Sequence, residues 1–337
     1  MNRHRPATFT RRDALKLAVC ALLSVACEKS AVASATTTEV AAETFGVKGD
    51  GSSNDTVALQ RAIDNSVGKV LVISGRPRID VRGLTLRSGT RIRFDEKASI
   101  KLLPHNTYEY QMFRIWDVSN VEITGLMLDG SKELNSINSD PRKNGYGMGV
   151  SITGASNVVL TNPVTNNCWG DGIYIANSYR NKDLVCSGLV IQSHNANGCR
   201  RQGVSLISGR NVHILDAVWE NIRGTVPSAG LDIEPNSNQD VLENIVISNP
   251  ITRNCRAGIE MWLANIPGAV AKKIDIEISG HQDDGSDNAY IVSALKSNGH
   301  VVDGKIVSRH PHWINTKGAP YLSQGMDASN VMVQIER

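Results

Sequence analysis

Aromatic residues are scarce, at 5% of 337 positions, and no apolar run is long. The longest near the N-terminus, Leu17 to Ala26, falls well short of the roughly 20 residues that span a bilayer. Cysteine is also sparse. Beyond residue 35 only Cys168, Cys186, Cys199 and Cys255 remain, without the paired C-x-x-C spacing of a zinc site. They are expected as buried thiols in stacked turns. Net charge is small as well. The formal +3 includes Arg3, Arg5, Arg11, Arg12, Lys16 and Lys29 at the N-terminus, against Asp13 and Glu28. Past residue 35 there are 30 basic and 31 acidic residues, which argues against nucleic-acid binding, since that depends on phosphate neutralisation.

What is present begins with a targeting segment. Thr10-Arg11-Arg12-Asp13-Ala14-Leu15-Lys16, followed by the apolar run, resembles a bacterial twin-arginine export signal. Ala33-Ser34-Ala35 suits cleavage after residue 35. Ser24-Val25-Ala26-Cys27 is an imperfect lipobox, which makes a lipid anchor on Cys27 the minor alternative. The expected organisation is residues 1–35 as signal, 36–41 as linker and 42–337 as one domain, in the periplasm or secreted. Export in a folded state, from a reducing cytosol, requires no disulfide framework.

After Phe45-Gly-Val-Lys-Gly-Asp-Gly, the apolar spacing of Val57 to Ile63 predicts one amphipathic helix, with Asp55 or Thr56 as N-cap. Beyond residue 68 short β-rich runs alternate with Gly and Asn. One element recurs at Asn120-Val-Glu-Ile, Asn157-Val-Val-Leu, Asp183-Leu-Val-Cys, Asn211-Val-His-Ile, Asn244-Ile-Val-Ile, Lys273-Ile-Asp-Ile, His300-Val-Val-Asp and Asn330-Val-Met-Val. Successive starts lie 26 to 37 residues apart. A second recurs out of phase: Met148-Gly-Val-Ser-Ile, Asp171-Gly-Ile-Tyr-Ile, Gln202-Gly-Val-Ser-Leu, Ala229-Gly-Leu-Asp-Ile and Ala257-Gly-Ile-Glu-Met. An irregular period with constant strands points to an all-β solenoid, a single-stranded right-handed parallel β-helix, with the helix capping its open N-terminal end. The leading Asn residues are expected to stack as an amide ladder inside the coils.

In-register coils place Val150, Ile173, Val204, Leu231 and Ile259 inward and Ser151, Tyr174, Ser205, Asp232 and Glu260 outward. Thr153, Ala176, Ile207, Glu234 and Trp262 follow on the same face. Asp232 and Glu234, two apart on one strand, then point the same way about 6.5–7 Å apart. Glu260 sits roughly 5 Å from Asp232 on the next coil. Carboxyls that close raise one another's pKa, an arrangement suited to acid–base chemistry. Asp171, beside Trp169 and between glycines, is a fourth candidate. Arg200 and Arg201, one coil away, either neutralise these acids or bind an anionic sugar. Tyr174 is a candidate proton donor or ring-stacking residue and Trp169 a candidate sugar contact, with Trp262 further along the face. No role is assigned to the histidines. Gln282-Asp283-Asp284-Gly285-Ser286-Asp287 has the acidity to attract Ca²⁺ but not the spacing of a calcium loop, and is read as a turn. No metal or organic cofactor is expected.

The opening Phe45-Gly-Val-Lys-Gly-Asp-Gly through Ala62-Ile63 and the coils, over roughly residues 42–337, resemble the pectate-lyase-like β-helix superfamily. Trp169-Gly-Asp171-Gly-Ile is similar to the Asp-Gly-Ile strand of family 28 glycosidases, the polygalacturonase group. Arg201-Gln202-Gly-Val-Ser stands where that family has a Gly-His-Gly-Ile-Ser turn, and Leu231-Asp-Ile-Glu234 where it has Arg-Ile-Lys. Asn197-Gly-Cys-Arg-Arg201 and Leu126-Met-Leu-Asp-Gly130 resemble mannuronan C5-epimerases, whose Asp-Pro-His corresponds to Tyr174-Ile175-Ala176. The resemblance implies a polysaccharide-active enzyme. A glycoside hydrolase is the first expectation, a uronate lyase or epimerase the second, and a non-catalytic carbohydrate-binding surface protein the third.

Overall fold

The computed structural model describes residues 38–137, 145–327 and 330–337. The export signal and the Cys27 alternative lie outside the described residues. Among those described, the chain winds through three parallel sheets. One has eleven strands, from Glu39–Ala41 to Val331–Ile335, a second ten, from Asp50–Asn54 to His312–Ile314, and a third nine, from Leu84–Thr85 to Tyr321–Gln324. Each strand pairs only with the strands of the coils before and after it, as in a right-handed parallel β-helix. The first sheet begins at Glu39, three residues ahead of the expected domain start and within the expected linker.

The single α-helix among the described residues, Thr56–Asn65, buries Leu59, Ala62 and Ile63 against the core. Asp55 precedes it, but its carboxylate accepts the backbone N–H groups of Lys48 and Gly49 instead of capping the helix.

The second repeat holds without exception. Val150, Ile173, Val204, Leu231 and Ile259 stack in register and are fully buried. The glycine before each has a steric cause. A Cβ on Gly149, Gly172, Gly203, Gly230 or Gly258 would lie 2.5–2.7 Å from the carbonyl oxygen of the next coil.

The first repeat needs correction. The Asn120, Asn157, Asn211 and Asn244 motifs share one register, whereas those starting at Asp183, Lys273, His300 and Asn330 stand two to five residues off it. The amide ladder exists, with Asn157 donating to Asn120 Oδ1 at 3.2 Å and Asn244 to Asn211 Oδ1 at 2.8 Å, but it is exposed. These residues have φ of 52–59°, a left-handed bend that asparagine tolerates and that turns the amide outward.

The four cysteines are free and fully buried. In the acidic turn, Asp283 accepts from Thr252 and Ser286, Asp284 from Asn315, and Asp287 pairs with Arg223. These carboxylates serve separate partners. No helix among the described residues is long and apolar enough to cross a membrane.

Candidate active site

The outer face of the nine-stranded sheet carries the expected ladder. Ser151 pairs with Tyr174, Tyr174 with Ser205, Ser205 with Asp232, and Asp232 with Glu260. It is not an open surface. Ser151, Ser205 and Asp232 are fully buried, and Tyr174 nearly so.

Two cavities meet on this face at Arg201. One, of about 410 Å³, is lined by Glu109, Gln111, Trp116, Tyr146, Tyr174 and Tyr179, with Asn236. The other, of about 400 Å³, is lined by Asp232, Glu234, Glu260, Arg256 and Trp262, with Val226 and Pro227. The groove crosses six coils. At about 4.8 Å per coil it advances roughly one sugar residue for each strand.

Arg201 organises the acidic half. One guanidinium nitrogen lies 3.6 Å from Asp171 and the other 3.9 Å from Glu234. Asp171 is fully buried, with no hydrogen-bond partner on either oxygen, and lines neither cavity. Burial pushes its carboxyl up to about 6 against the pull of Arg201. Asp232 is fully buried too, and burial, then the nearby Glu234, drive it well above the usual carboxylate range. Its Oδ2 accepts from Gln202 at 2.7 Å, while Oδ1 has no partner. Glu260 is raised by burial, partly offset by its ion pair with Arg256. Glu234 is the most accessible of the four, with 31% of its side chain exposed. This combination supplies a carboxyl biased toward its neutral form, a more accessible acid and a fixed cation between two acids.

Asp232, Glu234, Glu260, Arg201, Tyr174 and Trp262 therefore share one groove. Arg200 and Trp169 do not join them. They stack on each other, guanidinium over indole at 4.5 Å, away from both cavities. Several groove residues, and the Gln202 that bonds Asp232, escaped the sequence reading. Gln202 precedes Gly203 as Asp171 precedes Gly172, and Arg256 lies four residues before Glu260, so both were open to inference. Trp116, Tyr146 and Tyr179 belong to no repeat. Trp116 and Tyr179 meet edge to face at 5.2 Å. His194 and His281 are core residues. Each accepts from a tryptophan indole N–H, Trp219 or Trp313, and lies 2.8 Å from Thr165 or Thr252. Burial holds both imidazoles neutral, down at about 3.

No protein-family model matches the chain. The YclG protein of Bacillus subtilis is 24% identical over 225 residues, covering 58% of this chain and 38% of YclG. The N-terminal fragment of bacteriophage phi29 gene product 12 superposes with a TM-score of 0.59 at 16% identity, over 87% of this chain and 59% of the fragment. The family GH82 iota-carrageenase from A. fortis gives 0.57 at 15% identity, over 75% and 57%. The chain thus spans about two-fifths of YclG and under two-thirds of either solved structure. These likenesses extend to the fold, which is a right-handed parallel β-helix.

Proposed function

We propose that the chain is an exported polysaccharide-active enzyme, a glycoside hydrolase acting in the groove along the nine-stranded sheet. The observation that carries this reading is the pairing of unlike carboxyls in one cavity. Asp232 is buried and favours its neutral form, whereas Glu234, two residues along, faces solvent beside Arg201. Glycoside hydrolysis needs that division of labour, one carboxyl to protonate the leaving oxygen and one carboxylate to activate water or attack C1. Asp232 is assigned the first role and Glu234 the second. Glu260, tied to Arg256, flanks them. Asp171 is a positioning residue, since it reaches the groove only through Arg201. The iota-carrageenase likeness supports a glycan substrate.

The test is product chemistry on a polysaccharide panel. New reducing ends without unsaturated uronate absorbance support hydrolysis. Unsaturated products point instead to a lyase, and C5 inversion without cleavage to an epimerase. Binding without any chemical change leaves a carbohydrate-binding surface protein. For export, replacing Arg11 and Arg12 together by Lys is expected to retain the protein in the cytoplasm, and unchanged export contradicts the twin-arginine reading.

A further inference from the structure

We infer that the groove takes a glycan bearing neither carboxylate nor sulfate. This rests on the glycan-active reading above and narrows it to a substrate class. The first ground is the state of the cations. Among the described residues, the arginines lining the two cavities are Arg201 and Arg256. Both already face acids: Arg201 lies 3.6 Å from Asp171 and 3.9 Å from Glu234, and Arg256 is paired with Glu260. An anionic sugar would compete with these carboxylates for either guanidinium, and it would lie beside Glu234 and Glu260. Like charges at such separations repel, and the partly buried setting screens them little.

The second ground is independent of charge. Asp232 Oδ1 and Gln202 Oε1 are buried without a hydrogen-bond partner, and Asp232 lines the cavity. Asp232 Oδ1, on the cavity wall, can accept a hydrogen bond, and the sugar hydroxyl is the donor a glycan brings in quantity. Five aromatic side chains line the cavity walls. Trp116, Tyr146, Tyr174, Tyr179 and Trp262 account for five of the chain's seven Tyr and five Trp taken together, in a sequence where aromatics are rare. Side chains of this kind stack on the apolar C–H faces of uncharged rings.

The experiment is affinity electrophoresis of the full chain through gels containing barley β-glucan, galactomannan, chitosan, polygalacturonate, alginate or iota-carrageenan, with product analysis on each. The expected result is retention by a neutral or amino-sugar glycan at least about tenfold stronger than by any anionic one. Trp262→Ala should weaken that retention several-fold. Tighter retention by polygalacturonate, alginate or iota-carrageenan overturns the substrate class, and turnover of that polymer leaves the enzyme reading standing. Retention by none of the six overturns both the substrate class and the glycan reading beneath it.

Discussion

Gln202 donates its side-chain N–H to Asp232 Oδ2 at 2.7 Å, from one coil to the next, and this bond favours deprotonation of Asp232. Burial and Glu234 raise the carboxyl, whereas the Gln202 bond favours its charged form. Gln202→Leu removes that support and should raise the Asp232 pKa further. A general acid works while protonated, so the alkaline limb of the kcat/KM profile should move to higher pH. An unmoved limb detaches Asp232 from the acid role.

Asp171 links the site to stability. Its folded pKa of about 6 stands above the unfolded value of 3.8, so between those values the folded state binds more protons. The destabilising contribution is absent below pH 3.8 and grows as pH rises, reaching about 3 kcal/mol above pH 6. Asp171→Asn should remove this decline. Thermal melts of both proteins from pH 4 to 7 give the difference directly. Parallel curves contradict the burial account of Asp171.

The glycine column predicts a contrast between crowding and backbone strain. In Gly203→Ala the new Cβ would lie 2.5 Å from Gly230 O and 2.6 Å from Trp219 Cδ1. The expected loss is at the upper end of about 1–3 kcal/mol. Gly285→Ala, at φ +74° with nothing within 4 Å, meets only the left-handed penalty of about 1 kcal/mol. Urea unfolding should rank Gly203→Ala as the more damaging, and the reverse order contradicts the steric origin of the column.

The parts legible in the sequence follow from strand periodicity. Alternation about Gly172, Gly203, Gly230 and Gly258 fixes which side chains enter the core, and in-register pairing then brings Asp232, Glu234 and Glu260 together. Loops and side-chain direction were not legible. Tyr179 reaches the groove from outside any strand, and Arg200 turns onto Trp169 while its neighbour Arg201 turns to Asp171. The Asn ladder forms, but outside the coils where it was expected inside, for a related reason. Its amides follow a left-handed backbone that residue identity alone allows but does not dictate. Burial of the acidic face was also hidden, since alternation gives the side of a sheet and not what covers it.

The most direct measurement is turnover by Asp232→Asn, Glu234→Gln and Glu260→Gln, each on the polysaccharide that the wild-type chain cleaves, with melting temperatures taken alongside. The account predicts that Asp232→Asn and Glu234→Gln lose activity by about 10²–10⁴-fold, as expected for a missing acid or base. It also predicts that Asp232→Asn melts at or above the wild-type temperature, because it relieves a buried carboxyl repelled by Glu234. Wild-type turnover in all three variants would contradict the account and place the chemistry elsewhere.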